Sequence, residues 1–135
     1  MYDASRRENA ILMALIEPPE KLEVTIVQVA QFFNITDTET LREQSGKRYL
    51  EFLRVPALSA GVYVLPAGGT DPQSPHKEDE LYYVVRGRAR MRAGSEDHAV
   101  SQGSVIFVAA EAEHRFYEIT EELMVLVFFA PAESE

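Results

Sequence analysis

Two histidines and one glutamate carry most of the chemical information in this sequence. His76 and Glu80 lie in Ser74-Pro75-His76-Lys77-Glu78-Asp79-Glu80-Leu81-Tyr82, and His114 opens His114-Arg115-Phe116-Tyr117-Glu118. Two imidazole nitrogens and one ionised carboxylate oxygen form a set that holds a divalent metal and leaves coordination positions open. Both segments read as strands, and residues two apart on a strand share a face. The spacing therefore predicts one row of His76, Glu78, Glu80, Tyr82 and Val84 and a second of His114, Phe116 and Glu118, closing together on a small cavity. Imidazole must be neutral to bind metal, so affinity through this set should fall as pH drops through the histidine range.

A chain of 135 residues, 46% hydrophobic and 26% charged, has the size and composition of one globular domain with a real core. Its formal charge of -9 repels a phosphate backbone, and its 13 Lys and Arg gather into no basic stripe, which argues against a nucleic-acid partner. The absence of cysteine removes disulfides, thiolate metal sites and Cys nucleophiles. The longest apolar runs, Ala10 to Ile16 and Leu123 to Ala130, fall far short of the roughly 20 residues a spanning helix needs. No membrane crossing is expected. With no secretory cleavage pattern near Pro18-Pro19, the expected location is cytoplasmic.

The elements that must position these side chains are read from local patterns. Ser5-Arg6-Arg7-Glu8 is a capping box, and Ile11, Leu12, Leu15 and Ile16 follow at helical spacing, so a short N-terminal helix is predicted, ending before Pro18-Pro19. Leu22 to Val29 reads as a strand followed by a short helical turn. From Lys47 the texture becomes short β-branched and aromatic runs: 48–55, 61–65, 80–86, 89–93, 98–100, 104–108, 114–119 and 123–129. Breaks fall at Pro56, Pro66-Ala67-Gly68-Gly69, Gly87, Gly94 and Gly103, with Gly87 read as a tight hairpin turn of positive φ. About eight strands without intervening long helices point to an antiparallel sandwich or barrel. The expected organisation is an N-terminal helix-and-strand extension over 1–46, a barrel over 47–130 and a loose acidic tail over 131–135.

The residues from Gly61 to Phe129 resemble the cupins, small double-sheet jelly rolls with a metal or ligand site inside the barrel. The first cupin motif is Gly, five residues, His-x-His, three or four residues, Glu, six residues, Gly. Here His76 matches its second histidine, Glu80 its glutamate and Gly87 its closing glycine. In the second motif, Gly, five residues, Pro-x-Gly, two residues, His, three residues, Asn, the matches are Gly103 and His114. The departures are Ser74 for the first histidine, Ala109 and Glu111 for Pro and Gly, and Glu118 for Asn. The resemblance implies an all-β antiparallel jelly-roll barrel and a metal, iron, zinc, manganese or nickel, held by His76, Glu80 and His114. Water, Gln73 or Glu78 stand as alternatives for the missing ligand.

The resemblance further implies binding or conversion of a small molecule and, if the protein is an enzyme, dioxygenase-like oxidation first among reactions with isomerase or lyase chemistry behind it. Tyr63 and Tyr82 are the candidate proton donors. Phe52, Tyr63, Tyr82, Met91, Phe107 and Phe116 are candidates for an apolar cavity wall, and Arg90, Arg92 and Arg115 for holding a carboxylate. His98 lies outside both motifs and is assigned no role. Two other readings stay open: a non-catalytic sensor whose metal site has weakened with Ser74, and a metal-free enzyme using His76 as base, which needs a carboxylate to orient the ring. The apolar stretch from Ile11 to Val29 exceeds what a minimal barrel uses, so a homodimer is expected.

Overall fold

The computed structural model describes residues 10–14 and 24–134, which divide at Asn34/Ile35 into two compact units. In the first, β1 (Ala10–Ala14) pairs antiparallel with β2 (Val24–Gln28), Ala10 opposite Gln28 and Ala14 opposite Val24. The helix expected over 5–16 is thus a strand at 10–14, and the rest of that span lies outside the described residues. Five apolar residues fit either period, and a β-branched partner, Val-Thr-Ile-Val-Gln, settles the type by supplying a ladder of backbone hydrogen bonds. No helix among the described residues is long and apolar enough to cross a membrane.

Among the described residues the helix belongs instead to the second unit, as α1 (Ile35–Ser45). Its ends carry suitable chemistry. Asn34 precedes it, Asp37 stands in its first turn, and Gly46 follows at φ 71 with its N–H donated to the Glu43 carbonyl. It packs on β3 (Tyr49–Val55) and β4 (Leu58–Leu65), and Glu39 pairs with Arg86.

The remaining strands are β5 (Asp79–Ala93), β6 (Glu96–Ser101), β7 (Val105–Val108) and β8 (His114–Ala130). All pairings are antiparallel, in the order β3-β4-β8-β5-β6 with β7 also on β5, and the jelly-roll fold class holds. Two pairs of expected strands are each one long, bent strand, 80–86 with 89–93 and 114–119 with 123–129. Gly87 is accordingly a bend within β5, not a hairpin turn. Its φ is 98, and the register slips there, from Arg86 opposite Met124 to Arg88 opposite Glu121. A Cβ at Gly87 would come within 2.2 Å of the Glu122 carbonyl oxygen, so only glycine fits. On β8 the matching slack is taken up around Glu118.

These bends let the sheet fold onto itself. The first half of β5 runs between β7 and β8 and the second between β6 and β8, yet both halves feed one core. Tyr82 and Val84 from one half and Ala89 and Met91 from the other meet Phe116, Ile119, Val125, Val127 and Phe129. A smaller cluster, Val62, Val64 and Met124 with Phe52, Val85 and Leu126, forms separately.

Residues 131–134, expected to be loose, are docked. Ala132 N–H donates to the Pro56 carbonyl (3.2 Å), Glu133 N–H to Ser59 Oγ (2.9 Å) and Ser134 N–H to Glu78 Oε1 (2.6 Å).

Glu111 (φ 68) and Glu118 (φ 46) occupy the left-handed region at the two positions where the second cupin motif has Gly and Asn. Those residue types tolerate this conformation, whereas another L-residue pays roughly 1–2 kcal/mol for it. Glu118 is exposed, so its side chain contributes no core packing. Glu118→Asn should therefore raise stability by about 0.5–1 kcal/mol, measured as a higher urea midpoint at unchanged slope; an equal or lower midpoint would show that the bend is relaxed with glutamate in place.

Candidate metal centre

The alternation that begins with β5 buries Glu80, Tyr82 and Val84 and leaves Leu81 and Tyr83 outside. His76 and Glu78 precede the strand, so the predicted five-residue row starts only at Glu80. His76 arrives from the loop, where Glu111 N–H donates to its carbonyl at 2.7 Å and ties it to the β7–β8 connection. His114 and Phe116 point inward from the start of β8, and the row ends before Glu118 because the strand bends there. One donor atom from each of His76, Glu80 and His114 lies within 4.8 Å of the others.

The hydrogen bonds around the two rings decide which nitrogen faces the centre. His114 Nδ1 lies 2.9 Å from the Ala112 carbonyl, which can only accept, so Nδ1 carries the proton and Nε2 turns inward. His76 Nδ1 lies 3.3 Å from Glu133 Oε2, which leaves its Nε2 facing the same way. Burial pushes the Glu133 carboxyl up while His76 pulls it down, and the net shift is upward.

Glu80 is the unusual member. Its side chain has no exposed surface, and neither oxygen receives a well-directed hydrogen bond among the described residues. His114 Nε2 stands 3.0 Å from Oε1, but in a neutral ring with Nδ1–H given to Ala112 that nitrogen presents a lone pair. The contact becomes attractive only when the ring is protonated or a cation is shared between them. Burial alone would lower the His114 pKa; the Glu80 contact, the Ala112 carbonyl and the charges of Glu80 and Asp71 outweigh it, and the pKa is raised. The donor set fits a divalent metal.

Around this centre the described residues form a polar shell that was not legible beforehand. Asp71, buried, accepts from Tyr63 OH (2.8 Å), Gln73 N–H (3.3 Å), Gln73 Nε2 (2.8 Å) and Phe116 N–H (2.9 Å). Asp71 is assigned no role from the sequence, since no local pattern signals a carboxylate that folds back under its own loop. Tyr63 OH is thereby committed to Asp71, and burial followed by that bond raises its pKa. Tyr82, fully buried, donates to Gln73 Oε1 at 2.8 Å and lies 3.1 Å from His114 Nε2. Burial and the Glu80 charge raise its pKa well above the phenol value, so it keeps its proton. Glu78 turns away to Ser134, and Ser74 is exposed.

Beside the three ligands lies a cavity of about 210 Å³, walled by Tyr49, Tyr63, Val127 and Phe129, with Gln73, His76, Glu80 and Glu133 at its polar side. Of the six expected wall residues only Tyr63 lines it. Tyr82, Met91 and Phe116 are core, Phe52 belongs to the smaller cluster, and Phe107 is 63% exposed on β7. Arg90 and Arg92 pair with Asp97 at 3.1 and 3.2 Å and Arg115 is exposed, so none of the three reaches this cavity. Arg92 and Arg115 instead line a second cleft, on the other side of the Gln73–Pro75 loop, whose wall includes His114. A larger cleft of about 650 Å³ between β6 and β7 is mainly apolar, and none of the three ligands lines it.

Comparison with known proteins places this architecture. A model of the cupin domain matches residues 61–130. An uncharacterized protein of Streptomyces coelicolor, SCO3923, is 46% identical over 102 residues, covering 76% of this chain and 97% of that protein. Among solved structures, KdgF from Halomonas sp. superposes with a TM-score of 0.57 at 20% identity, over 62% of this chain and 76% of that one. DMSP lyase DddQ from Ruegeria pomeroyi gives 0.56 at 21%, over 64% and 49%. A cupin 2 conserved barrel domain protein from Rhodopseudomonas palustris gives 0.56 at 14%, over 93% and 74%. At these identities the structural likeness shows the fold alone.

The His114 pKa is raised on folding, so in metal-free protein its stabilisation is fully present below the unfolded value, about 6.5, and is lost as pH rises through the folded one. Urea unfolding of metal-stripped protein should show the stability difference between wild type and His114→Asn shrinking as pH goes from 6 to above the folded pKa. A difference that stays flat or grows with pH would show that His114 is not held as the protonated partner of Glu80.

Proposed function

This chain belongs to the cupin domain family, and from that premise we propose that it binds a divalent metal through His76, Glu80 and His114 and binds or converts a small molecule in the adjoining cavity. The observation that carries the proposal is the buried Glu80 carboxylate, which lacks an ordinary hydrogen-bond donor and faces two imidazole Nε2 atoms whose opposite nitrogens are anchored. Two nitrogens and one carboxylate oxygen suit iron, zinc, manganese or nickel. When bound, such a metal supplies Lewis acidity or, with iron, a place for dioxygen.

The residues of the chain supply the rest. Val127 and Phe129 exclude water from one side, and Tyr82 holds a proton at its phenol oxygen 3.1 Å from His114 Nε2, which makes it the better placed of the two tyrosines to move one. Tyr63 acts through Asp71. The cavity is small, and neither arginine nor lysine is among its described lining residues, so an oxygen-bearing ligand there would have the metal as its positive partner. Dioxygenase-like oxidation is the reaction class we favour, with lyase or isomerase chemistry next.

A second reading is favoured by one contact. Glu133 Oε2 beside His76 Nδ1 is the orienting carboxylate that a metal-free His76 base requires. Metal content separates the two. Protein purified without a histidine tag should carry about one metal per chain by elemental analysis, and His76→Ala and His114→Ala should each lose it. Metal that survives both substitutions would place the site elsewhere, and none in the wild type, even after incubation with excess metal, would favour the second reading.

We also propose a homodimer. Leu81, Tyr83, Val105 and Phe107 are exposed and sit opposite one another in the β5–β7 register, Leu81 with Phe107 and Tyr83 with Val105, which gives an apolar patch on the outer face. Sedimentation should show a dimer that Phe107→Glu shifts toward monomer. A monomer at all concentrations would remove this proposal and leave the metal site untouched.

A further inference from the structure

We infer that the Gln73 carboxamide oxygen is the fourth protein donor to the metal, in place of the histidine that the cupin motif would put at Ser74; this rests on the metal reading above. Ser74 cannot serve, because it is exposed, and Glu78 cannot, because both its oxygens are within hydrogen-bond reach of Ser134. Gln73 is turned inward by chemistry that leaves no choice of orientation. Its Nε2 donates to Asp71 Oδ2 at 2.8 Å, and since a carboxylate only accepts, the amide nitrogen must face Asp71 and the oxygen must face the other way.

That oxygen points at the centre. Gln73 Oε1 lies 3.4 Å from His76 Nε2, and His114 Nε2 lies 3.0 Å from Glu80 Oε1. Donors bound to one first-row divalent ion at about 2.0–2.2 Å sit roughly 3–3.5 Å apart when their bonds are 90–110° apart. Both separations fall in that range. The pairing is also chemically telling. In the tautomer that gives the His76 Nδ1 proton to Glu133, the ring offers Gln73 a lone pair, and the carboxamide oxygen offers one back. In that tautomer it is the same acceptor-facing-acceptor contact as His114 against Glu80, Tyr82 OH lies beside both, and one shared cation resolves both.

Tyr82 OH donates to the same oxygen at 2.8 Å, which is compatible with ligation because a carbonyl oxygen has two lone pairs. The amide is also the donor that the Asp71 hub permits, since a glutamate at this position would face the Asp71 carboxylate. Asp71 is therefore a positioning residue: it holds the 71–73 loop under the barrel mouth through Phe116 N–H and aims Gln73.

The test uses Co²⁺ as the probe on metal-stripped full-length protein, with the dissociation constant from calorimetry and the visible d–d spectrum as a readout of the ligand set. Gln73→Leu removes the oxygen and keeps the bulk; Gln73→Asn keeps an amide but withdraws it by one methylene. Each should weaken Co²⁺ binding by about 10- to 100-fold or more, since losing even an outer-shell partner costs that much, and each should change band positions or intensity. Ser74→Ala should alter neither. Should Gln73→Leu fail to fold by circular dichroism, the Asn variant decides. Wild-type affinity with an unchanged spectrum in a folded Gln73 variant would overturn the assignment while leaving the three-residue site standing. If wild-type protein does not bind Co²⁺, the metal reading itself falls, and this assignment with it.

Discussion

A glutamate carboxyl group with no exposed surface is the constraint on which the arrangement of this protein turns. Glu80 sits at the start of β5 among Tyr82, Phe129 and Val127, where solvation by water is gone and the charge must be compensated locally. A hydrophobic residue would fill that place at less cost to folding. What surrounds Glu80 is therefore best understood as compensation: His114 brought from the other long strand and His76 from a loop. Each ring is held by its far nitrogen, so the near one has no internal hydrogen to give unless it is charged. A carboxylate and two imidazoles poised in this way are stable together either with an extra proton or with a cation.

The frame that brings them together depends on two strands long enough to belong to both layers. β5 and β8 each change layer at a bend, at Gly87 and at Glu118, and the ligands Glu80 and His114 come from the two ends of this hinged pair. Glu80 stands opposite Phe129 and His114 opposite Ala93, far apart along the ladder, and only the folding of the sheet makes them neighbours. Left-handed backbone at Glu111 serves the same end, since its N–H holds the His76 carbonyl. Strain kept at positions that set a site, without glycine to relieve it, is consistent with the geometry being held by the surrounding hydrogen bonds rather than by local preference.

How much of this could be read from the sequence follows from how far each interaction reaches along the chain. His76, Glu80 and His114 were legible because motif spacing on strands is a local quantity, and the barrel was legible because strand runs and turn residues repeat. One expectation failed where a local pattern served two periods equally, since Ala10 to Ala14 fits helix or strand, and the helix over 35–45 was not anticipated because Thr36, Thr38 and Thr40 give it a poor helical profile despite Asn34 and Gly46 at its ends. Gly87 was rightly assigned a positive φ, but a bend in one strand and a turn between two have the same signature. Asp71 and Glu133 were invisible for another reason. Their partners, Phe116 and His76, lie 45 and 57 residues away, and no periodicity encodes contacts of that kind.

Those two carboxylates also explain how a histidine outside the strand can take part at all. A ligand on a strand inherits the rigidity of the ladder, whereas one on a loop must be fixed by bonds of its own. The loop carrying Gln73 and His76 is pinned at Gly68 N–H to Ile119, at Asp71 to Phe116, and at the His76 carbonyl to Glu111, and the docked C-terminal residues add Glu133 from the other side. None of these bonds uses an atom turned toward the metal position. They can hold the loop whether or not an ion is bound, and a loop fixed in that way would leave little of a metal's binding energy to be consumed in ordering the chain.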